Sequence, residues 1–258
     1  MSLPIKHDLT TIYILSCAVA ILMTVASVSS LLHPERVYQT ADLVRALATN
    51  DALDLLVGLP MLLGSMLAAR RGSFTGLLLW PGALLYVLYN YLPPLLCVPR
   101  GAVFGMELAL VAVTAYATVA LLVAIDGAEV RKRLVGAVPN RTAGGVLAAL
   151  GTLTLARVIE LAIRGASISS AEIALSVTDL LMSPLWIIGG VLLWRRASLG
   201  FAAGLGLLFQ GSMLFVALIA LLLAQRSSLK DLLVVAAMGL IVFVPFGLFA
   251  RGVARSRS

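Results

Sequence analysis

The 258-residue chain predicts an all-α integral membrane protein with about eight transmembrane helices. Three observations carry that expectation. Apolar residues make up 61% of the chain and charged residues only 12%. Mean hydropathy is +1.05. Apolar runs long enough to cross a bilayer recur from end to end. Soluble domains carry about 25% charged residues and cannot cover this much apolar surface. A soluble enzyme, a nucleic-acid-binding module and a disordered chain are therefore excluded. Period-two alternation is absent, so a membrane barrel is not credible either.

The first run, Thr10–Leu32, follows a short flank carrying Lys6. A signal peptide has a shorter apolar core and a small-residue cleavage site, whereas this run is long enough to cross, so it reads as a retained span. His33–Asp51 reads as a long outer connection. Within it, Arg36–Ala48, with apolar Val37, Leu43, Val44 and Leu47, fits a short interfacial helix and a plain loop equally well. Further spans are expected at Ala52–Ala69, Ser73–Leu92, Ala102–Ile125, Ala143–Ile163, Ala171–Trp194, Ser198–Ala224 and Leu232–Ala250. Each lies near the ~17–25 residues that a bilayer core demands. Charge, Gly or Pro bounds most of them, as at Arg70-Arg71-Gly72, Pro93-Pro94, Arg131-Lys132-Arg133, Arg195-Arg196 and Arg251-Gly252. Asp126–Arg141 reads as a basic, flexible connection.

Charge asymmetry orients these spans. The N-terminus, the second–third, fourth–fifth and sixth–seventh connections and the C-terminus together carry twelve Lys and Arg residues, against six on the opposite set, with Arg157 inside a span. The positive-inside rule then puts both termini in the cytoplasm of a cell-membrane protein. The net charge of +7 is accounted for in the same way. The lipid bilayer is the expected partner, nucleic acid is not, and a homo-oligomer is compatible with the sequence. Cys17 and Cys97 form no C-x-x-C and fall at different depths, so both are expected to pack as small apolar residues.

An internal repeat is visible. Asp54-Leu55-Leu56 recurs as Asp179-Leu180-Leu181, and both copies fit D-L-L-x7-G-x2-L-x2-R-R-x-S. Pro60 and Pro184 nearly coincide, one position out of register. A duplication would divide the chain into a four-helix unit at 1–126, a basic cytoplasmic linker at 127–142 and a second four-helix unit at 143–258. An even number of spans per copy makes the repeat parallel, about an axis along the membrane normal.

Five charged residues fall inside the expected spans: Asp54, Glu107, Arg157, Glu160 and Asp179. An embedded charge costs about 2.5–3.5 kcal/mol at mid-membrane and normally faces the bundle interior, a partner or water. At 1.5 Å per residue, Asp54 and Asp179 each stand ~24 Å above an arginine pair, in the outer part of the ~30 Å core. Glu107, Arg157, Glu160, Tyr86, Tyr89, Asn90 and Gln210 fall near that level. The expected site is thus a polar, outward-facing cavity lined by these nine side chains. Arg157 and Glu160, three apart on one helix, are spaced to pair. The alternative is that Arg157 clamps Asp54 or Asp179, or meets an anionic ligand. Tyr86, Tyr89 and Tyr91 also fit an outer aromatic belt. His7 and His33 flank spans, and neither a metal nor a cofactor is expected. Gly64 with Ala68, Gly144-Gly145 and Gly200-x3-Gly204 are candidate close-approach stripes.

Carboxylates at one depth, prolines within spans and a half-to-half repeat point first to a transporter or permease for a cation or a proton-coupled small solute. An intramembrane enzyme acting on a lipid-like substrate would also use such carboxylates, although no H-E-x-x-H, histidine cluster or D-D-x-x-D pattern is present. A ligand-binding sensor or assembly subunit is the third reading.

Overall fold

The structure, a computed structural model, describes residues 3–38, 40–97, 102–164 and 169–256. Arg100 and Arg257, counted in the charge asymmetry, lie outside the described residues. The described chain is helical throughout: α1 (Thr10–Leu32), α2 (Pro34–Val37), α3 (Ala41–Leu53), a π-helical turn (Asp54–Gly58), α4 (Leu59–Arg70), α5 (Phe74–Cys97), α6 (Ala102–Ala124), α7 (Gly127–Leu134), α8 (Asn140–Arg164), α9 (Ser170–Trp194), α10 (Ser198–Ala224) and α11 (Leu229–Arg255). Among the described residues, seven helical runs are long and apolar enough to cross a bilayer: Thr10–Leu32, Leu47–Arg70, Val103–Ala124, Asn140–Arg164, Ser170–Trp194, Ser198–Ala224 and Leu229–Arg255. The chain is therefore a polytopic helical membrane protein. The remaining long helix, α5, has 24 residues. Its tyrosines, Asn90 and prolines hold its hydropathy below that of the seven.

α5 and α10 form the centre. Leu77, Leu78, Trp80, Leu84, Tyr86 and Val87 of α5, and Phe201, Leu205, Leu208 and Gln210 of α10, are wholly buried. α5 packs on α4, α6, α9 and α10, and α10 packs on α9 and α11; α1 lies against α6, and α8 lies along α9. The two central helices cross at Gly82 and Gly206. A Cβ at Gly82 would fall on the Gly206 backbone, and one at Gly206 would come within 2.7 Å of the Gly82 nitrogen. Backbones this close allow the contact packing and weak Cα–H···O bonding that hold helices together in lipid, where apolar burial alone gives no drive. Gly64 has nothing within 4 Å of its would-be Cβ, so the Gly64–Ala68 stripe is not a contact at Gly64.

The second span starts earlier than its composition suggests. α3, the π-helical turn and α4 form one continuous run, so the part of Arg36–Ala48 from Ala41 onward is helix, Gln39 lies outside the described residues, and Asp51 belongs to the run itself. Thr40 caps α3 by accepting from the Leu43 amide at 3.3 Å, as an N-cap threonine should. The π-helical turn ends with the Leu59 amide donating to Asp54 O. Pro60 follows immediately and has no N–H to continue an α ladder, a local reason for the widened turn.

The connection at Asp126–Arg141 is also more ordered than a flexible linker. Asp126 caps α7 by accepting from the Ala128 and Glu129 amides at 3.1 and 3.3 Å. Val130 and Leu134, one turn apart, are wholly buried beneath the bundle, while Arg133 pairs with Glu129 at 3.0 Å and lies 5.7 Å over the Phe74 ring. The N-terminal segment pairs with the end of α6 through an Ile5–Ile125 bridge. Gly127 packs on Ser198 and Gly252 on Ala137. The N-terminal segment, the α4–α5 turn, α7, the α9–α10 turn and the end of α11 thus gather at one end of the molecule.

Two of those turns have one build. Arg71, Gly72 and Ser73 donate to Leu67, Ala69 and Ala68 carbonyls; Arg195, Arg196 and Ala197 donate to Val191, Leu193 and Leu192. Gly72 and Arg196 occupy the left-handed region, at φ 80° and 59°.

Candidate functional site

Buried polar groups collect on both sides of the far half of α5. On one side, Asp54 is 1% exposed and accepts from Asn90 Nδ2 at 2.5 Å. The π-helical turn that begins at Asp54 also brings Gly58 against α5: a Cβ there would lie 2.7 Å from Tyr86 Cε1. Tyr86 is wholly buried with its hydroxyl close to Asp54 and Asn90, and no partner among the described residues meets it at good hydrogen-bond geometry. One turn before Asp54, Asp51 is buried and accepts from Tyr38 Oη at 2.7 Å. Burial and the Asp51 carboxylate push the Tyr38 phenol well above its usual range, so it remains a proton donor. Tyr91 Oη donates to Met23 O at 3.1 Å. Its oxygen also lies 2.6 Å from Ser27 Oγ, a bond that either hydroxyl can donate. Glu107 of α6 is 3% exposed, with Asp51 as its charged neighbour, and among the described residues its Oε2 has no partner.

On the other side, Asp179 of α9 accepts from Tyr89 Oη at 2.8 Å and lies 3.9 Å from Arg157 of α8. Its own main-chain carbonyl accepts from Ser183 Oγ. Tyr89 packs beside Trp186, with ring centroids 6.3 Å apart. Trp186 Nε1 donates to Gln210 Oε1 at 3.2 Å, and Gln210 Nε2 donates to Leu85 O at 3.4 Å. Gln210 therefore ties α9, α10 and α5 together.

The two aspartates thus engage successive residues of α5, Tyr89 and Asn90, from opposite sides. Successive residues differ by ~1.5 Å in height, so both carboxylates meet α5 at one level. They do not meet each other. The arrangement differs from the one sequence spacing suggests in three respects. Arg157 reaches across to Asp179 instead of pairing with Glu160. Glu160 pairs with Arg164 on an exposed face, its side chain 55% exposed, and is no part of the cluster; a spacing of four puts Arg164 on that same face. Tyr86, Tyr91 and Asn90 are interior groups rather than an aromatic belt. Asp51, Tyr38, Ser27 and Trp186 join the cluster unannounced. Asp51 alone carried a signal, lying three residues before Asp54 and so on the same helix face.

Two cavities of about 430 and 470 Å³ open between α1 and α4, and none of these carboxylates lines either. Cys17 and Cys97 are both free thiols.

Chemically, the cluster is acid-rich. Asp51, Asp54, Glu107 and Asp179 are buried, and among the described residues only Asp179 has a cation within 4 Å. Burying an uncompensated carboxylate is costly, so such groups carry a proton or a cation. Among the described residues no three His, Cys, Asp or Glu side chains come together as a metal-holding group. No family model matches this chain, and neither a curated protein nor a solved structure does.

Proposed function

We propose that the protein is a proton-coupled carrier of a small solute, with Asp54 and Asp179 as its two proton-binding carboxylates on either side of α5. The observation that carries this reading is Asp54: an almost fully buried carboxylate with an amide partner and, among the described residues, no cation in salt-bridge range, on a span interrupted by a π-helical turn. Ionisable groups inside membrane bundles mark proton and substrate routes, and π-turns inside helices recur at functional sites. In this reading Asp51 and Glu107 extend the acidic path on the α1–α6 side, Tyr86 adds a buried hydroxyl beside Asp54, and Arg157, 3.9 Å from Asp179, is the cation at the second carboxylate.

The same reading takes α5 as an eighth span and the molecule as two four-helix copies. Its length and central burial support the former. The repeat is supported by features 124 residues apart: Pro60 and Pro184, left-handed Gly72 and Arg196, and the crossing glycines Gly82 and Gly206. Asp54 and Asp179 are 125 apart, and the π-helical turn absorbs the extra residue of the first copy between its aspartate and its proline. A cytoplasmic location for both termini is supported by the gathering of the arginine-rich turns, α7 and the N-terminal segment at one end, the end that the positive-inside rule assigns to the cytoplasm.

The test is flux in vesicles that contain the purified protein and a pH-sensitive dye in the lumen, challenged with panels of amines, amino acids and sugars. One panel member is expected to drive proton movement. Asp54→Asn and Asp179→Asn, which keep an acceptor oxygen, should each cut that movement at least about ten-fold while the protein stays folded. Chemical turnover without flux would favour the membrane enzyme. Saturable binding without flux would favour the sensor.

A further inference from the structure

The two cavities between α1 and α4 are contiguous. Cys17 and Leu63 line both, and together they extend from Val25 at one end to Thr10, Tyr13 and Arg70 at the other. Thr10 to Val25 is about 22 Å of helix, longer than the ~15 Å that one leaflet contributes to the core. The walls are apolar along most of this length, with Ile21 and Leu67 more than half exposed to the surroundings. One wall is fixed: Tyr13 stacks on Trp80 with centroids 4.6 Å apart and donates to Met66 O at 3.4 Å.

Thr24 lines the far part, but its hydroxyl donates to Ala20 O at 2.7 Å; charge enters the lining at the end that belongs to the basic face of the molecule. There Arg70 lines the groove, within electrostatic reach of Tyr13. Among the described residues Arg70 pairs with no carboxylate, and no acidic residue lines either cavity. An apolar channel closed at one end by a single unneutralised guanidinium is complementary to one ligand class, a hydrocarbon chain that ends in an anion. Guanidinium–phosphate pairing is the strongest contact available at that end.

We propose that this groove seats an acyl chain of an anionic phospholipid, with the lipid phosphate on Arg70. The site is separate from the carboxylate cluster and does not depend on what that cluster does. It makes the α1–α4 face a lipid-binding surface. Juxtamembrane arginines attract anionic headgroups in general; the groove adds a seat for the chain.

The protein carries its own probe. Cys17 is exposed, lines both cavities and is one of two cysteines. In a Cys97→Ser background, Cys17 labelling by a membrane-permeant maleimide is followed in phosphatidylcholine vesicles with and without phosphatidylglycerol. Labelling is expected to slow several-fold when phosphatidylglycerol is present. Arg70→Gln should abolish that slowing, and Arg70→Lys should keep part of it. Native mass spectrometry of the unlabelled protein should show one retained anionic lipid, lost in Arg70→Gln. Labelling indifferent to phosphatidylglycerol would overturn the proposal, as would slowing that persists unchanged in Arg70→Gln. Shielding that instead tracks protein density, with Cys17–Cys17 cross-links, would mean that a second copy covers the groove, and would overturn it too.

Discussion

Gly82→Ala is expected to leave little folded protein after detergent extraction. The added methyl would fall on the Gly206 Cα and carbonyl oxygen. A backbone atom on an opposing helix cannot swing aside as a flexible side chain can, so α5 and α10 must separate along their whole contact. Overpacking costs about 1–3 kcal/mol in ordinary cores and more where nothing can yield. The loss here should reach or exceed the upper figure, against a typical total stability of ~5–15 kcal/mol. Size-exclusion chromatography and thermal melting in detergent read it directly. Gly64→Ala is the control: nothing lies within 4 Å of its would-be methyl, so it should be neutral or stabilise by about 0.5–1 kcal/mol through helix propensity. A Gly82→Ala protein that melts with the wild type would mean the two central helices do not cross there.

Asn90→Leu should be nearly as damaging, for an electrostatic reason. Leucine fills similar space but removes the amide that donates to Asp54 Oδ1 at 2.5 Å. Leaving a buried polar group unsatisfied costs about 1–3 kcal/mol, and more for a charged one, so a loss of roughly 3 kcal/mol is expected. The double variant Asp54→Leu/Asn90→Leu should recover much of that loss, because removing both partners leaves nothing stranded. A double-mutant cycle of melting temperatures, all in one detergent, measures the coupling. Additive effects would show that the pair is not coupled and would remove the central support of the carrier reading.

These two sites show unequally in the sequence. Asp54 and Asn90 are conspicuous because charge and amide are costly in lipid and therefore stand out against an apolar background. Their pairing does not show, since it depends on how α5 is rotated between α4 and α9. Gly82 and Gly206 are two of 22 glycines. Spacing marked Gly64, which faces open space, and passed over the crossing pair. Small residues indicate that close approach is available, but only the packed bundle selects the face that uses it. Glu160 illustrates the reverse error: its spacing from Arg157 is right for a pair, yet Arg157 leaves its own helix for Asp179 and Glu160 takes Arg164. Asp51 falls at the end of the expected outer connection, His33–Asp51. Continuous helix through Leu47 and a bond from Tyr38 carry it inside.

That this protein is helical and polytopic is legible in its composition and apolar runs alone. The bilayer core offers no hydrogen bonds, so every spanning segment must satisfy its own backbone and cover it with apolar side chains, and that requirement is written locally, run by run. The tertiary structure alone decided which acids share a neighbourhood, which glycines touch and which tyrosines are interior. Those outcomes depend on helix rotation, on the one-residue widening at Asp54–Gly58 and on crossings between distant segments. No linear pattern specifies an angle between two helices, because that angle follows from all the side chains on both faces together.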